Sequence, residues 1–451
     1  MPRVAIALLC FFFCTQLNLG PVFAESKPNI VFILADDMGY GDLGCYGHPV
    51  AKTPNIDQLA RDGVRFTQAY SNGPECSPTR TALLTGRYQQ RTMGLECAIG
   101  TGNVGRYDHA IERAENRDLG LTPSLAVLPS GMKKAGYQCA VFGKWHLGYE
   151  PKFNPMEYGW DEFFGYLGGN VHYFNHRETS DLHVLFRGRL PVHREGYMTH
   201  LITDDSIDFI QRQVTAKKPF FVYVSHESPH FPFQGPSEID KVVTAENWMQ
   251  RDAKAYVAML EDLDHEVGRI LNTLEEQRIA KDTLVVFVSD NGGFADAANM
   301  GPLKGAKGTT LEGGVRVPMI MRWPGKIPRS KESSQVCVTF DLTRSFLGLA
   351  GADTANLQLD GYDIVSHIVE QKPDAKRTLF WRGRRGDRTW RAVRNGDMKF
   401  VTKTEGGKTE QWFYDLSKDV GEENDLSKSQ PQDVNHMRSQ LAEWENEMTA
   451  K

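Results

Sequence analysis

Four short stretches of the chain are continuously apolar, a pattern typical of strands that are buried on both faces of a sheet. They lie at residues 29–35, 137–142, 220–225 and 284–289. Helical periodicity is clearest at 253–274, where apolar residues return every three or four positions. Buried strands that alternate with helices predict an α/β fold, in which helices cover both faces of a large, mostly parallel sheet.

A shorter helix is predicted directly after the first strand. Thr53 is placed to be its N-cap and Pro54 its first residue, and Gly63 marks its end. Its apolar residues share one face, so the helix is expected to pack against the sheet.

Beyond residue 340 the pattern changes. Residues 390–393 and 398–403 flank an Asn395-Gly396 turn, which predicts a β-hairpin. A further strand is predicted at 411–416, and a polar helix at 432–448. We therefore predict a catalytic α/β domain over 25–340. A smaller C-terminal α+β unit, with an antiparallel sheet and a terminal helix, follows over 341–451.

The first residues have the pattern of a targeting signal. Arg3 precedes a nearly all-apolar run at 4–13, and Val22-Phe23-Ala24 presents small residues at a cleavage position. The run is short for a membrane span. We predict a signal peptide over 1–24 and a secreted or periplasmic protein.

Composition narrows the class of protein. The 451 residues are 40% hydrophobic and 24% charged, with a net charge of −5. This balance is typical of a globular protein and predicts neither nucleic-acid binding nor, after signal cleavage, membrane contact. Of seven cysteines, the odd number of five would remain after cleavage, so one thiol is expected to be special. Whether the other four pair is left open.

Polar residues collect where the predicted strands end. Asp36, Lys144, the segment 226–230 and Asp290 all follow or close an apolar stretch. Open α/β sheets bind ligands outside the carboxyl ends of their strands. The site is therefore predicted at this edge of the sheet.

Cys76 is the thiol with the most distinctive neighbours. In Cys76-Ser77-Pro78-Thr79-Arg80, Pro78 suits the first turn of a helix, which places Cys76 at the positive N-terminal end. Anions bind at such ends, and Arg80 can reach the same place. On these residues alone, an inert buried cysteine is an equally good interpretation.

The Cys-x-Pro-x-Arg pattern resembles the signature of the sulfatase family, in which a maturation enzyme oxidises the cysteine to formylglycine. The resemblance spans nearly all of 28–325. It includes the segments at 36–37, 41–47, 85–87, 143–148, 228–230, 289–292 and 307–314. It implies an alkaline-phosphatase-like fold, hydrolysis of sulfate esters, and a formylglycine-generating enzyme as a partner.

The resemblance also implies a metal site. Asp36, Asp37, Asp290 and Asn291 offer oxygen ligands at two strand ends. A hard, all-oxygen set suits Ca²⁺ better than Zn²⁺. Taken alone, two aspartates after a strand are more often a turn or a cap. By resemblance, the modified residue 76 completes the coordination of one calcium ion.

The family's mechanism assigns roles to further residues. One hydroxyl of the hydrated aldehyde attacks sulfur and gives a sulfated hemiacetal, and deprotonation of the other expels sulfate. Lys144 and Lys307 match the lysines that bind sulfate oxygens. His146 matches the residue that takes the proton from the second hydroxyl, which Arg80 stabilises.

Two histidines compete for the role of general acid. His230 and His226 lie in one segment, and His230 precedes Phe231-Pro232, as the family pattern requires. We therefore assign protonation of the leaving oxygen, and substrate binding, to His230 and treat His226 as structural.

The substrate is expected to be a sulfated small molecule or saccharide, such as a glycosaminoglycan or algal-type polysaccharide fragment. The loop 165–176 resembles that of arylsulfatase B-type enzymes, although His172 stands where those carry an acid. Tyr173 and His176 are candidate substrate contacts, and an aromatic packed loop is the alternative. Arginines at 382, 384 and 385 could add anion contacts, but a solvated turn is the favoured interpretation.

Two other functions compete with sulfate hydrolysis. Relatives with the same modified cysteine hydrolyse phosphonate and phosphate esters. A catalytically dead, lectin-like binder is the third candidate, and the complete set of motif residues argues against it.

Overall fold

The computed structural model describes residues 27–92 and 95–449. The predicted signal peptide at 1–24 lies outside the described residues. Within them, none of the helices combines the length and the apolar character that crossing a bilayer requires.

A ten-stranded mixed sheet forms the centre of the molecule. The strands of the described residues are β1 (Asn29–Ala35), β2 (Val64–Phe66), β3 (Ala69–Tyr70), β4 (Gln138–Lys144), β5 (Glu162–Tyr166), β6 (Phe186–Arg187), β7 (Leu190–Pro191), β8 (Phe220–Ser225), β9 (Thr283–Ser289), β10 (Met319–Arg322), β11 (Lys331–Ser333), β12 (Cys337–Val338), β13 (Thr378–Arg385), β14 (Arg388–Asn395), β15 (Met398–Glu405) and β16 (Lys408–Asp415). The main sheet has the order β11-β2-β10-β9-β1-β8-β4-β5-β6-β7. Its central strands β9, β1, β8, β4 and β5 run parallel, and β10 is antiparallel beside β9.

Helices cover both faces of this sheet. The helices of the described residues are α1 (Pro54–Arg61), α2 (Cys76–Thr85), α3 (Asp108–Glu115), α4 (Leu128–Lys134), α5 (Met198–Ala216), α6 (Ala253–Glu276), α7 (Glu312–Val315), α8 (Phe340–Ala350), α9 (Ile364–Val369) and α10 (Pro431–Thr449). Val31 and Ile33 of β1 share one core with α1, α5 and α6. Phe32 and Leu34 face the opposite core, with α4, α8 and α9. This is the predicted α/β architecture.

The four apolar stretches are the four central strands. β1 and β8 match their predicted ranges to the residue, and β9 begins one residue early. β4 begins one residue later than predicted and continues to Lys144, so this lysine closes the strand. Because both faces are covered, almost every side chain of these strands is buried.

The start of α1 and its N-cap residue, Thr53, are predicted correctly, but the Thr53 side chain makes no capping hydrogen bond. Its hydroxyl donates to Asp57 Oδ1 at 3.0 Å and accepts from the Gly44 N–H at 2.8 Å. The side chain therefore holds the preceding loop against the helix.

The C-terminal sheet is a four-stranded antiparallel meander, β13-β14-β15-β16, followed by α10. The predicted hairpin is confirmed, since Asn395 pairs with Met398. The hairpin between β13 and β14 was missed, because arginines occupy positions where a strand pattern needs apolar residues. The helix α8 packs with the main sheet, although it begins at residue 340. The division between 340 and 341 stays a prediction.

The five cysteines that the structure describes all carry free thiols. Cys76, Cys97, Cys139 and Cys337 are buried, and Cys45 is partly exposed.

Candidate active site

The strand ends bring the predicted acidic residues together. β9, β1, β8 and β4 are neighbours in the sheet, so their carboxyl ends meet at one edge. Asp36 and Asp37 follow β1, and Asp290 and Asn291 follow β9. All four side chains are buried. The strand order, which the sequence does not give, is what places them side by side.

Cys76 lies at the centre of this group. It is the first residue of α2, and its Sγ is 3.3 Å from Asp36 Oδ1. Lys144 Nζ is 3.3 Å and Lys307 Nζ is 3.5 Å from the same sulfur. Burial, with Asp290 and Asp36 nearby, raises the pKa of the Cys76 thiol well above its usual value. The helix N-terminus and the two lysines therefore do not make Cys76 a thiolate.

The acidic residues form a candidate metal site. One ligand atom from each of Asp36, Asp37, Cys76 and His230 lies within 4.8 Å of all the others. Burial and the neighbouring Asp290 raise the pKa of Asp36 above its usual range. Crowded buried carboxylates of this kind are stable when a cation or hydrogen bonds compensate them.

Asn291 joins this group through its side-chain amide. Its Nδ2 donates to Asp37 Oδ1 at 2.7 Å, while its Oδ1 is buried without a hydrogen-bond partner. The backbone N–H of Asp37 donates to Asp290 Oδ1 at 3.3 Å, and Asp37 has a left-handed φ of 61°. A non-glycine residue in this conformation is held there by its surroundings, as is common at functional sites.

Three cations contact the carboxylates. Lys144 forms an ion pair with Asp36, and Lys307 Nζ lies 2.7 Å from Asp37. Arg80 Nη2 lies 3.0 Å from Asp290 Oδ2. The predicted lysines and arginine are thus brought to one place, although they are up to 227 positions apart in the chain.

Sequence reasoning missed a hydroxyl that fixes Arg80. Ser225 Oγ accepts from Arg80 Nη1 at 2.7 Å and donates to the Lys144 carbonyl at 2.7 Å. Ser225 is the last residue of β8, so its position at a strand end was the available signal.

His146 is neutral and has one nitrogen free. Its Nε2 lies 2.8 Å from the Ile99 carbonyl, while its Nδ1 is buried without a partner. Burial, together with Lys144, lowers the pKa of His146 well below its usual value. A proton on Nε2 satisfies the carbonyl, which leaves Nδ1 as an acceptor.

His230, rather than His226, lies in the charged group. Its Nε2 is 3.2 Å from Lys307 Nζ and 3.4 Å from Asp37 Oδ2, and its Nδ1 is 2.6 Å from the Phe231 carbonyl. Burial and Lys307 lower the pKa of His230. His226 is fully buried, lies outside the cavity and has no hydrogen-bond partner at either ring nitrogen, so its structural role stays a prediction.

A cavity of about 410 Å³ opens onto this group. His146, His230 and Lys307 line its base, and Trp248 and Trp390 line its walls. This volume is within the range of small-molecule sites, which is about 300–1,000 Å³.

Tyr173 and His176 do not line this cavity. Tyr173 is fully buried, stacks on Tyr197, and donates its hydroxyl to the His230 carbonyl at 3.0 Å. His176 is buried, with Nε2 3.0 Å from the Gly196 carbonyl. The structure thus places Tyr173 behind His230, where it can position that residue without contacting substrate.

The arginines at 382–385 do not form a solvated turn. They lie on β13 because residues 378–385 pair with β14 along their whole length. Arg382 is buried, and its guanidinium donates to both oxygens of Glu96. Arg384 and Arg385 line the cavity, as do Arg106 and Arg388, which sequence reasoning missed. Nothing in the sequence distinguishes Arg106 and Arg388 from the other surface arginines.

The chain is similar to known proteins over most of its length. The family model described as Sulfatase matches residues 28–352. A second family model, described as the C-terminal part of N-sulphoglucosamine sulphohydrolase, matches residues 306–448. N-acetylgalactosamine-6-sulfatase of Canis lupus familiaris is 34% identical over 385 residues, which cover 81% of this chain and 70% of that protein. Human arylsulfatase A is 31% identical, and the match covers 88% of this chain and 83% of that protein. The solved structure of Ps i-CgsB in complex with k-i-k-neocarrahexaose has a TM-score of 0.80 and 29% identity, covering 93% of each chain.

Proposed function

We propose, from the premise that this chain belongs to the sulfatase family and is a sulfatase, that it removes sulfate from carbohydrates with a formylglycine made from Cys76. One observation carries the proposal. Residue 76 lies at a helix N-terminus, within 3.5 Å of Asp36 and of both predicted sulfate-binding lysines. A nucleophile at this position would face groups that neutralise sulfate oxygens.

We further propose that Asp36, Asp37, Asp290, Asn291 and residue 76 hold one calcium ion. Three buried carboxylates and the unpartnered Asn291 Oδ1 are hard oxygen donors, which suit Ca²⁺. With formylglycine at residue 76, its oxygen would take the place of the thiol sulfur. A bound calcium ion would supply positive charge that polarises the sulfate group.

The hydrated aldehyde supplies two hydroxyls, one to displace the alcohol from sulfur and one to lose a proton as sulfate leaves. The lysines at 144 and 307 would bind the sulfate oxygens as charge shifts onto the leaving oxygen. His146 has Nδ1 free to accept the second hydroxyl's proton. His230 would protonate the leaving oxygen, and its Nε2 lies 3.2 Å from the Lys307 ammonium group.

A sulfated saccharide is the substrate that we propose. The cavity combines cationic side chains with Trp248 and Trp390, whose faces suit the apolar faces of sugar rings. The names of two similar proteins support this choice, since one is an N-acetylgalactosamine-6-sulfatase and the other binds a neocarrahexaose. From the apolar run at 4–13, we propose a secreted or periplasmic protein. A formylglycine-generating enzyme would be its maturation partner.

Mass spectrometry of the peptide that contains residue 76 tests the modification. Protein coexpressed with a formylglycine-generating enzyme should lose the sulfur and gain an aldehyde at this residue. Turnover should rise in proportion to the converted fraction. An unconverted thiol in fully active protein would refute the proposed nucleophile.

Paired assays test the reaction. The converted protein should hydrolyse an aryl sulfate faster than the matching aryl phosphate or aryl phosphonate. Faster turnover of the phosphorus esters would favour the phosphonate or phosphate hydrolase. Absence of turnover of every ester, with saccharide binding retained, would favour the lectin-like binder.

Elemental analysis tests the metal. Purified protein should contain one calcium per chain, and chelation should remove it and lower the melting temperature. Asp37→Asn should reduce the calcium content without changing the extent of residue 76 conversion. One tightly bound zinc in place of calcium would contradict the assignment.

A further inference from the structure

We propose that Arg106 and Arg384 form a second anion-binding subsite, so that the natural substrate is an oligosaccharide with at least two anionic groups. This inference rests on the proposed function, which assigns the reacting sulfate to the lysines at 144 and 307. The second subsite would bind a charged group on a neighbouring sugar.

Two groups of basic residues line the cavity. Lys307, His146 and His230 line its base, beside residue 76. Arg106, Arg384, Arg385 and Arg388 line its outer wall, which we call the arginine rim. Because both groups border one cavity, a single ligand can contact both.

Two arginines of the rim each contact a carboxylate through two guanidinium nitrogens. Arg385 donates to both oxygens of Glu75, at 3.1 and 2.7 Å. Arg388 Nε and Nη2 lie 2.8 and 2.6 Å from Glu405 Oε1, and Glu405 also pairs with Lys403. These two side chains have less positive charge available for a ligand.

The other two arginines lack a carboxylate of their own. Arg384 Nε is 3.3 Å from Glu96 Oε2, but Glu96 already accepts hydrogen bonds from Arg382 at 2.7 and 2.9 Å. Arg106 has no acidic partner within ion-pair distance in the part of the chain that the structure describes, and it is exposed. Positive charge is therefore left over at these two positions of the rim.

Backbone contacts hold the rim in place. The Arg384 N–H donates to the Glu96 carbonyl at 3.1 Å, and the Gly386 N–H donates to the Arg106 carbonyl at 2.6 Å. Gly383 lies against Pro74, where an added Cβ would be only 2.9 Å from Pro74 Cγ. The β13–β14 hairpin is thus fixed against the segment that leads into residue 76. The backbone of the rim therefore needs no rearrangement to present these two side chains to an anion.

Guanidinium groups suit the proposed ligand. Arginine binds planar or tetrahedral oxyanions through two parallel N–H groups, so both a sulfate ester and a uronic acid carboxylate are suitable. The tryptophans at 248 and 390 line the same cavity, where a sugar ring can lie between the two anions. A lone aryl sulfate would fill the base and leave the rim unused.

The Cys76→Ala protein cannot form formylglycine, so it can bind substrates without hydrolysing them. Calorimetry of saccharide binding to this protein tests the subsite. The probes are a disulfated neutral oligosaccharide, its monosulfated counterpart, and a monosulfated disaccharide with a uronic acid. We expect each doubly charged probe to bind about 10-fold tighter or more than the monosulfated one. The tighter of the two identifies the second anion as sulfate or carboxylate. Equal affinity for all three probes would overturn the proposal.

The double substitution Arg106→Gln with Arg384→Gln locates the subsite. It should weaken binding of the doubly charged probe by about 10- to 100-fold and leave the monosulfated probe within about two-fold. Arg329→Gln is the matched control, because Arg329 is an exposed arginine with one acidic partner outside the cavity. Equal losses for both probes would refute a second subsite.

The same substitutions in converted enzyme separate this proposal from the proposed function. kcat/KM should fall by about the same factor for the doubly charged substrate, mainly through KM, and stay unchanged for an aryl sulfate. If the enzyme hydrolyses no sulfate ester but still binds the doubly charged probe more tightly than the monosulfated one, the proposed function is refuted and the second subsite stands. Full activity on aryl sulfate without any binding difference would refute the subsite alone.

Discussion

Two buried groups of charges in this molecule can be compared. The strand-end cluster consists of Asp36, Asp37, Asp290, Lys144, Lys307 and Arg80. The junction cluster lies between the main sheet and the C-terminal sheet, and it consists of Glu312, Arg316, Lys399 and Glu422. Both bury several charges, which is costly unless each charge is compensated.

The junction cluster is closed on itself. Lys399 Nζ lies 2.7 Å from Glu312 and 3.0 Å from Glu422, and all three side chains are fully buried. Glu312 also accepts from Tyr70 Oη at 2.7 Å and pairs with Arg316 at 3.2 Å. Burial opposes ionisation of Glu312, but Lys399 and Arg316 hold its pKa below the usual range. Little capacity remains for a ligand.

The strand-end cluster is open in comparison. Asn291 Oδ1 and His146 Nδ1 lie beside it, buried and without partners. Lys307 is partly accessible and reaches the cavity. Buried charge alone therefore does not mark a functional site. Here the cluster is distinguished by unpartnered polar atoms together with a cavity that His146 and Lys307 line.

The largest expected effect comes from removing the centre of the open cluster. Cys76→Ala should have a kcat/KM about 10⁴-fold or more below that of the converted wild-type enzyme, because no nucleophile remains. Steady-state assays with an aryl sulfate measure this loss. Cys45→Ala, which changes a partly exposed thiol, should keep full activity. Substantial turnover by Cys76→Ala would contradict the mechanism.

Next in size is an effect on stability. Lys399→Met should lower the free energy of unfolding by about 3–5 kcal/mol, because it leaves Glu422 buried without a cation and Glu312 with Arg316 alone. Denaturant unfolding measures the change. Lys418→Met, which removes an exposed ion pair with Asp415, should leave stability close to wild type. Equal effects of the two substitutions would show that the junction cluster does not stabilise the fold.

A matched lysine in the open cluster should behave in the opposite way. Lys307→Gln should lower kcat/KM by about 10²- to 10³-fold, because one cation no longer holds the sulfate. The free energy of unfolding should stay near wild type, since Lys307 is partly solvated. A loss of stability as large as that of Lys399→Met would remove the distinction between the clusters.

The smallest expected effect depends on the leaving group. His230→Gln should slow a sugar sulfate by about 10²-fold, because an alkoxide needs a proton to leave. An aryl sulfate, whose phenolate leaves more readily, should be affected much less. His226→Gln serves as the control and should keep the ratio of the two rates unchanged. Equal slowing of both substrates by His230→Gln would argue against proton donation.

Much of the fold could be predicted, because its strands and turns have distinctive patterns of neighbouring residues. Continuous apolar runs identified β1 and β8 to the residue, since both faces of those strands are buried. The Asn395-Gly396 pair identified a hairpin because these two residue types favour the backbone conformation of a tight hairpin turn. The first hairpin of the same sheet was missed, because its arginines pair with acids from distant segments.

The sequence by itself indicated the family, the candidate catalytic residues and the strand ends near which they lie. Motif spacing and periodicity are local properties, and they need no knowledge of strand order. Only the tertiary structure decided that Tyr173 lies behind His230, and that Arg106 and Arg384 share a cavity wall. The physical reason is that burial, ion pairing and residual charge depend on contacts between segments far apart in the chain. An arginine with a carboxylate of its own and one that shares or lacks a carboxylate have the same letter in the sequence.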